Sequence, residues 1–297
     1  MRHWAINISP TQQLMNNLRI GVPSKGRLAE QAIDLLRQAG LNFRRQARSL
    51  FARTKEMPID ITFLRTDDIP VLCAEGAIDL GITGSDLVAE SAAEVDQRLA
   101  LGVGKCRLAL CVPSDSDVQQ PIDLANSRVA TSFPNITGSF FAEQNTKTHL
   151  VSLSGSVEIM ISLNVADAIV DLVETGSTLA ANQLRILTDI GHYETIVIQN
   201  PGRRQGELAD RVVRRLEGVV IARSYSLLEY NLPRAKLAAA EEITPGFDSP
   251  TVNPLEDPDL CAVRVMVKRN DVIPTMERLE ELGATAILET QITNCRL

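Results

Sequence analysis

The residues whose types and spacing can do chemistry are densest in residues 166–179, ADAIVDLVETGSTL. Asp171 and Glu174 close an apolar run, and Thr175, Gly176, Ser177 and Thr178 follow directly. A phosphate group is held by close backbone N–H donors, by hydroxyls that reach it without bulk and by the positive end of a helix. A turn of this composition leading into a helix at Leu179 supplies all three, and Asp171 and Glu174 then stand where they can accept from sugar hydroxyls or hold a divalent metal. The same residues also suit an ordinary strand, turn and helix, with Gly176 supplying a positive φ and Thr or Ser capping. On this stretch alone both alternatives stand.

Two further clusters have the same form. Ser24, Lys25, Gly26 and Arg27 lie between a short apolar run and an amphipathic one, at the carboxyl end of an expected strand, where open α/β sheets bind ligands. Solvated charge is the plain alternative for the two cations. Gly84 and Asp86, in TGSD, follow another expected strand, and Asp86 is equally suited to the first turn of a helix, favoured by its dipole.

The elements that must position these groups alternate along the chain. Ala168, Val170 and Leu172 alternate with Asp167, Ile169, Asp171 and Val173, a period of two that predicts a strand. Strands are expected at residues 18–22, 59–64, 77–82, 128–131 and 150–153, with apolar runs on both sides of residues 102–107. Helices are expected at 28–39, 68–75, after Asp86, through Phe140 and Phe141, at 157–163 and at 208–221. This is the pattern of a mostly parallel sheet. Residues 1–17 are polar and without period, and are read as a poorly ordered tail. From Ser224 the order becomes strand, helix, strand, strand, helix, strand, the βαββαβ arrangement of a ferredoxin-like module.

Composition agrees. With 44% hydrophobic and only 4% aromatic residues, the core is aliphatic, as in α/β proteins with buried strands. A net charge of −7 argues against a nucleic-acid binder or a membrane-surface protein. The five cysteines have no metal-like spacing, which points to reduced thiols in a cytosol. No apolar run is long enough to span a membrane, and no apolar segment follows Arg2 and His3 as in a signal peptide. There is no GxSxG nucleophile elbow and no GxxxxGK[ST] phosphate loop, and the three histidines have no evident partner.

In order along the chain, PSKGRL, IDLGITGSDLV, RVATSFPN, LSGSVE, ADAIVDLVETGSTL and ITPGFDSPTV resemble motifs of the long-form ATP phosphoribosyltransferases, the first enzymes of histidine biosynthesis. The resemblance runs from Leu18 to the end of the chain. It implies an α/β catalytic region of two lobes resembling periplasmic solute-binding proteins, with the active site in the cleft between them, and a C-terminal ferredoxin-like regulatory domain that binds histidine. Lobe 1 is then expected at 18–113 and 192–223, lobe 2 at 114–191 and the regulatory domain at 224–297. The chain is expected to cross between lobes twice, with strands around residues 184–198 returning to the first.

The reaction so implied is attack by the adenine N1 of ATP on C1 of 5-phosphoribosyl-1-pyrophosphate, with Mg²⁺, in a cytoplasmic homo-oligomer, dimer or hexamer. By the same resemblance, Glu174, Thr175, Gly176, Ser177 and Thr178 hold the donor's 5-phosphate, with Asp167 and Asp171 near its ribose and metal. Asp171 is the stronger of the two, because a strand rise of about 3.3 Å per residue puts Asp167 about 13 Å behind it. Ser24, Lys25, Gly26 and Arg27 would face the nucleotide or pyrophosphate, with Lys25 and Arg27 catalytic beside Asp171, and Gly84 and Asp86 would line the same cleft. The histidine pocket falls on Asn231, Phe247, Ser249, Thr251 and Ala286. Asn231 stands where some relatives carry Asp, which weakens pairing with a cationic ligand. A solute-binding protein would share the cleft but has little use for the C-terminal module, and a ligand-sensing subunit would not need an intact donor turn.

Overall fold

The computed structural model describes residues 17–46, 49–173, 176–202 and 206–296. The expected tail lies outside the described residues except for Asn17, whose Nδ2 donates to Asp60 Oδ2 at 3.1 Å. The chain divides into two compact units, residues up to 33 with 42–209, and residues 34–41 with those from 210 on.

In the first unit the strands form two sheets. The first takes β1 (Leu18–Pro23), β2 (Phe51–Arg53), β3 (Ile59–Leu64), β4 (Leu80–Gly84), β5 (Asp96–Ala100) and β11 (Thr195–Gln199), in the order β2-β3-β1-β4-β11-β5. The second takes β6 (Cys106–Pro113), β7 (Arg128–Thr131), β8 (His149–Ser152), β9 (Ala168–Val173) and β10 (Leu184–Tyr193), in the order β10-β6-β9-β7-β8. Both faces of the central strands are covered, so β1 and β9 read as nearly continuous apolar runs and are buried along most of their length. The helices are α1 (Gly26–Gln38), α2 (Asp68–Ala74), α3 (Ser85–Ser91), α4 (Pro134–Glu143) and α5 (Ser177–Ala181). The short α3 is wedged between two cores: Val88 packs with the cluster of Ile69 from α2, Ile78 and Ile198 of β11, and Leu87 with that of Leu108 of β6, Val170 of β9 and Phe141 of α4.

Several expectations are corrected. The sheets are mixed rather than mostly parallel, because β1, β3 and β4 in one and β7, β8 and β9 in the other are flanked by antiparallel strands. The first crossing comes before Cys106, not at Pro113, since β6 pairs with β9 and β10 in the second sheet. For the same reason only β11, and not the stretch from Leu184, returns to the first sheet. An apolar run announces a strand but does not say which sheet will accept its backbone groups. The strand expected at 77–82 begins later, because the amides of Ala77 and Ile78 both donate to the Leu72 carbonyl and close the end of α2. The helix expected at 157–163 is a single 3-10 turn, Val157–Ile159, followed by turns that end at Asn164 with φ 55°.

The second unit holds the C-terminal part of α6 (Gly206–Ser224), then β12 (Tyr225–Pro233), α7 (Leu237–Ile243), β13 (Thr251–Pro254), β14 (Leu260–Lys268), α8 (Val272–Leu282) and β15 (Thr285–Gln291). The order β13-β14-β12-β15, with every neighbouring pair antiparallel, is that of the expected βαββαβ module. In β12, Ser226, Leu228, Tyr230 and Leu232 are buried in alternation, and the last three pack with Ala240 of α7 and with Val272 and Leu279 of α8. All five cysteines are free thiols, and none of the described helices is long and apolar enough to cross a membrane.

Candidate active site

The first unit contains a cavity of about 580 Å³ whose walls come from both of its sheets. One wall begins where β1 ends. Gly26, at φ +80°, turns the chain into α1, and Arg27 and Gln31, four residues apart on one helical face, line the cavity. The preceding loop is tied down by a residue the motifs do not mark: the guanidinium of Arg45 lies 3.9 Å over the Phe63 ring and donates to the Ser24 carbonyl at 3.2 Å. Ser24, Lys25 and Gly26 are not among the lining residues; of PSKGRL, Arg27 and Leu28 are at the cavity wall, and Arg27 is the cation there.

The same wall continues at the end of β4. Gly84 is extended and Asp86 folds back over it, so that a Cβ at position 84 would lie 2.0 Å from Asp86 Oδ1. Only glycine leaves that space. Asp86 is 7% exposed, and burial pushes its carboxyl above the ordinary range, offset in part by hydrogen bonds from its own amide and that of Leu87. Where the chain crosses between sheets, Gly104 (φ +63°) and Thr195 line the cavity together, and a Cβ on Gly104 would lie 2.6 Å from the Thr195 hydroxyl oxygen.

The opposite wall is the end of β9. Asp171, Leu172 and Val173 line it, followed by Gly176, Thr178 and Leu179. Gly176 has φ +78°, and among the described residues beyond its chain neighbours no atom lies within 4 Å of where its Cβ would be. Leu179 is buried and anchors α5, while Thr178 is exposed at the cavity. Burial pushes the Asp171 carboxyl up, the Leu172 amide opposes this by donating to Oδ1 at 2.8 Å, and the nearby Glu158 carboxylate, also on the cavity wall, raises it further. Ser177 is exposed and not among the lining residues; Glu174 and Thr175 lie outside the described residues.

Asp167 does not line the cavity. At the far end of β9 it accepts from the Arg128 amide at 2.8 Å and from Arg128 Nη2 at 2.8 Å, and that guanidinium holds its carboxyl below the usual range. Its charge is spent on tying the residue before β9 to Arg128 of β7. Thr66, Cys106, Glu158 and Thr195 are cavity residues that the sequence did not single out as a site, although Glu158 closes the LSGSVE motif. Neither His149 nor His192 lines the cavity, and among the described residues no group of three His, Cys, Asp or Glu could hold a metal.

A curated ATP phosphoribosyltransferase of Rhodopirellula baltica is 66% identical over 280 residues, covering 94% of each chain. The family model for ATP phosphoribosyltransferase matches residues 65–218, and that for the C-terminal domain of the same family matches residues 222–294. This chain belongs to the ATP phosphoribosyltransferase family. Other ATP phosphoribosyltransferases, from Saccharopolyspora erythraea and Methanopyrus kandleri, are each 41% identical, over 94% and 91% of this chain and 100% and 96% of theirs. Among solved structures, the ATP phosphoribosyl transferase (HisG:HisZ) complex from Thermotoga maritima contains a chain 29% identical, matched with a TM-score of 0.61 over 68% of this chain and 97% of its own. The matches to the family's two models meet where the βαββαβ module begins, as a long-form phosphoribosyltransferase requires.

In that module the positions carried over for histidine divide between two places, Asn231 pairing with Thr285 beside Ala286 and Phe247 lying elsewhere. Asn231 and Thr251 share the sheet face opposite the helices, with the Glu229–Arg264 ion pair at 2.6 Å in the row of Thr251. Ala286 sits in β15 at φ +51°. Phe247 instead meets the Tyr225 ring edge-on at 5.5 Å and lines a separate cavity of about 560 Å³ with Lys268, Asp271 and Arg278. Asn231, Ser249, Thr251 and Ala286 are not among that cavity's lining, and six residues of extended strand put Asn231 about 20 Å from Tyr225.

Proposed function

We infer that the chain condenses ATP with 5-phosphoribosyl-1-pyrophosphate in this cavity, giving N1-(5-phosphoribosyl)-ATP and pyrophosphate, the first step of histidine biosynthesis. The observation that carries the assignment of site is the pairing of two walls: a glycine-hydroxyl turn and a carboxylate, Gly176, Thr178 and Asp171, opposite Arg27, Gly84 and Asp86.

In this reaction the adenine N1 lone pair forms a bond to C1 as the C1–O bond to pyrophosphate breaks, and the electron pair leaves with the pyrophosphate. The group has no need of a protein nucleophile, so the residues bind, align and balance charge. The Gly176–Thr178 turn receives the 5-phosphate at the entry to α5, through amides and the Thr178 hydroxyl. Asp171 takes the ribose hydroxyls or the metal. Arg27, with Lys25 in the loop before it, meets the polyphosphates, and Asp86 and Gly84 shape the nucleotide side.

The donors fit Mg²⁺. This ion keeps most of its waters and is bound through one or two carboxylates plus substrate phosphates. Asp171 and Glu158 are two carboxylates on one cavity wall whose mutual repulsion and burial a cation would offset. Bound there, Mg²⁺ supplies positive charge for the departing pyrophosphate.

The C-terminal module is the seat of feedback inhibition by histidine, at Asn231, Phe247, Ser249, Thr251 and Ala286. Their division between two places in one chain supports a pocket completed when the module packs in a homo-oligomer, dimer or hexamer, and the cytoplasm is where such a biosynthetic enzyme with free thiols works. The deciding experiment mixes the purified chain with ATP, phosphoribosyl pyrophosphate and Mg²⁺ and follows the adduct's absorbance and pyrophosphate release. Adduct formation that stops when either substrate is withheld is expected; no adduct, with pyrophosphate removed as it forms, would overturn the assignment.

A further inference from the structure

Helix α4 begins without a cap of its own. Phe133 occupies the N-cap position, no side chain there bonds to the first turn, and Pro134 follows as the first helical residue. The amides of the next two residues would then lack partners, since the first four N–H groups of a helix have none within it. They are satisfied from another element. The Glu90 carboxylate, on the last turn of α3, accepts from the Asn135 amide at 2.9 Å through Oε1 and from the Ile136 amide at 3.1 Å through Oε2. Asn135 returns the bond, its Nδ2 donating to the Glu90 carbonyl at 2.8 Å.

The partners belong to different sheets. Helix α3 follows β4 of the first sheet, and α4 lies between β7 and β8 of the second. The other end of α3 is tied to the crossing. The Ser85 amide donates to the Glu194 carbonyl at 2.9 Å, and the Glu194 amide donates to the Ser85 hydroxyl at 3.1 Å. The Glu194 carboxylate in turn accepts from the Gly102 amide at 3.0 Å on the other crossing segment. Between these two ends α3 carries Asp86 and Leu87 into the cavity wall, with Leu87 packed on the second sheet's core.

We propose that Glu90 is a positioning residue, clasping α3 to the N-terminus of α4 so that the Asp86 wall is held at working distance from the Asp171 wall across the cavity. The two crossing segments alone would let the sheets turn about them. The clasp lies about 7.5 Å along α3 from Ser85, at 1.5 Å of rise per residue, and gives that turning a third fixed point. A negative charge at a helix start adds the favourable dipole interaction, so the clasp needs the carboxylate and its reach as well as an acceptor.

The kinetic part of the test rests on the activity proposed above; amide exchange does not. Glu90→Ala, Glu90→Asp and Glu90→Gln are compared with the unaltered chain for turnover, for KM of both substrates and for hydrogen exchange by mass spectrometry. Glu90→Ala and the shortened Glu90→Asp are expected to lower kcat about tenfold and raise KM for both substrates, with Glu90→Gln, which keeps one acceptor at full reach, recovering part of the loss. Exchange in Glu90→Ala is expected to quicken at residues 135–137 and also at the crossing, residues 101–105 and 194–196. A variant that melts earlier but keeps the kinetic constants, or whose faster exchange is confined to 135–137, would make Glu90 a local helix cap and overturn the proposal. If the unaltered chain forms no adduct, the proposed activity fails, and the exchange pattern still decides the clasp.

Discussion

Arg128 Nη2 lies 2.8 Å from Asp167 Oδ1, and the Arg128 amide donates to the other carboxylate oxygen at 2.8 Å, so the first carboxylate of the ADAIVD strand is already neutralised while Asp171, four residues on, faces a cavity. Two aspartates that look alike in sequence therefore have opposite surroundings, and substitution separates them.

Asp167→Asn and Arg128→Ala are expected to lower the melting temperature modestly and leave turnover unchanged. The pair is about 40% exposed on both sides, so solvent screens it. The folded pKa of Asp167 lies below the ordinary 3.8, so its contribution is present above that value and is lost as pH falls below it. The difference in melting temperature between Asp167→Asn and the unaltered chain should narrow on acidification through that range; calorimetry against pH measures it.

Asp171→Asn should do the reverse. A carboxylate whose folded pKa is raised by burial favours the fold below its unfolded pKa and opposes it above, so at neutral pH its charge costs stability. The variant is expected to melt at the same temperature or higher while turnover falls about tenfold or more, equivalent to about 1.4 kcal/mol of transition-state stabilisation. In the unaltered chain the acid limb of the rate profile should begin above pH 3.8, the ordinary aspartate value. Full activity with reduced stability would return Asp171 to a packing role.

At the proposed donor turn, Gly176→Ala meets no atom of the described residues beyond its chain neighbours within 4 Å but forces a side chain into φ +78°, a cost of about 1–2 kcal/mol in backbone conformation. Donor affinity measured by calorimetry should weaken as the turn rearranges. Thr178→Ala should weaken it without strain, through loss of a hydrogen bond to a charged group of about 1.5–3 kcal/mol. Unchanged affinity in both variants would remove the turn from the donor site.

Gly84→Ala tests the nucleotide side. The added methyl would lie 2.0 Å from Asp86 Oδ1, so the carboxylate must swing away or the strand end must move. The KM for ATP is expected to rise with little change in that for the ribosyl donor, and the double variant Gly84→Ala, Asp86→Ala should fold better than Gly84→Ala alone because the obstructing oxygen is gone.

For regulation, Thr251→Trp places a large ring on the open face of the C-terminal sheet, where Thr251 is exposed. Inhibition by histidine should be lost while uninhibited turnover is kept, as steady-state rates with and without histidine will reveal. Persisting inhibition would move the effector to another site, such as the catalytic cavity.

The alternation of apolar and polar residues was enough to read the strands and helices of the C-terminal module, because local periodicity follows from which face each element buries. It also located the turns after β1, β4 and β9, since glycine beside hydroxyls or charge marks a strand end wherever it occurs. What only the tertiary structure decided was partnership. Cys106–Pro113 is an apolar strand in any setting, but its backbone groups find β9 and β10 in the second sheet, and that moves the crossing. Asp167 and Asp171 share a motif, yet Arg128, 39 residues from the first, takes one of them. Glu90 has no signal at all in sequence, because its partners Asn135 and Ile136 lie 45 and 46 residues away and are joined to it only when two sheets and the helices on them have packed. Sequence spacing records what is near along the chain, whereas hydrogen bonding and burial depend on what is near in space.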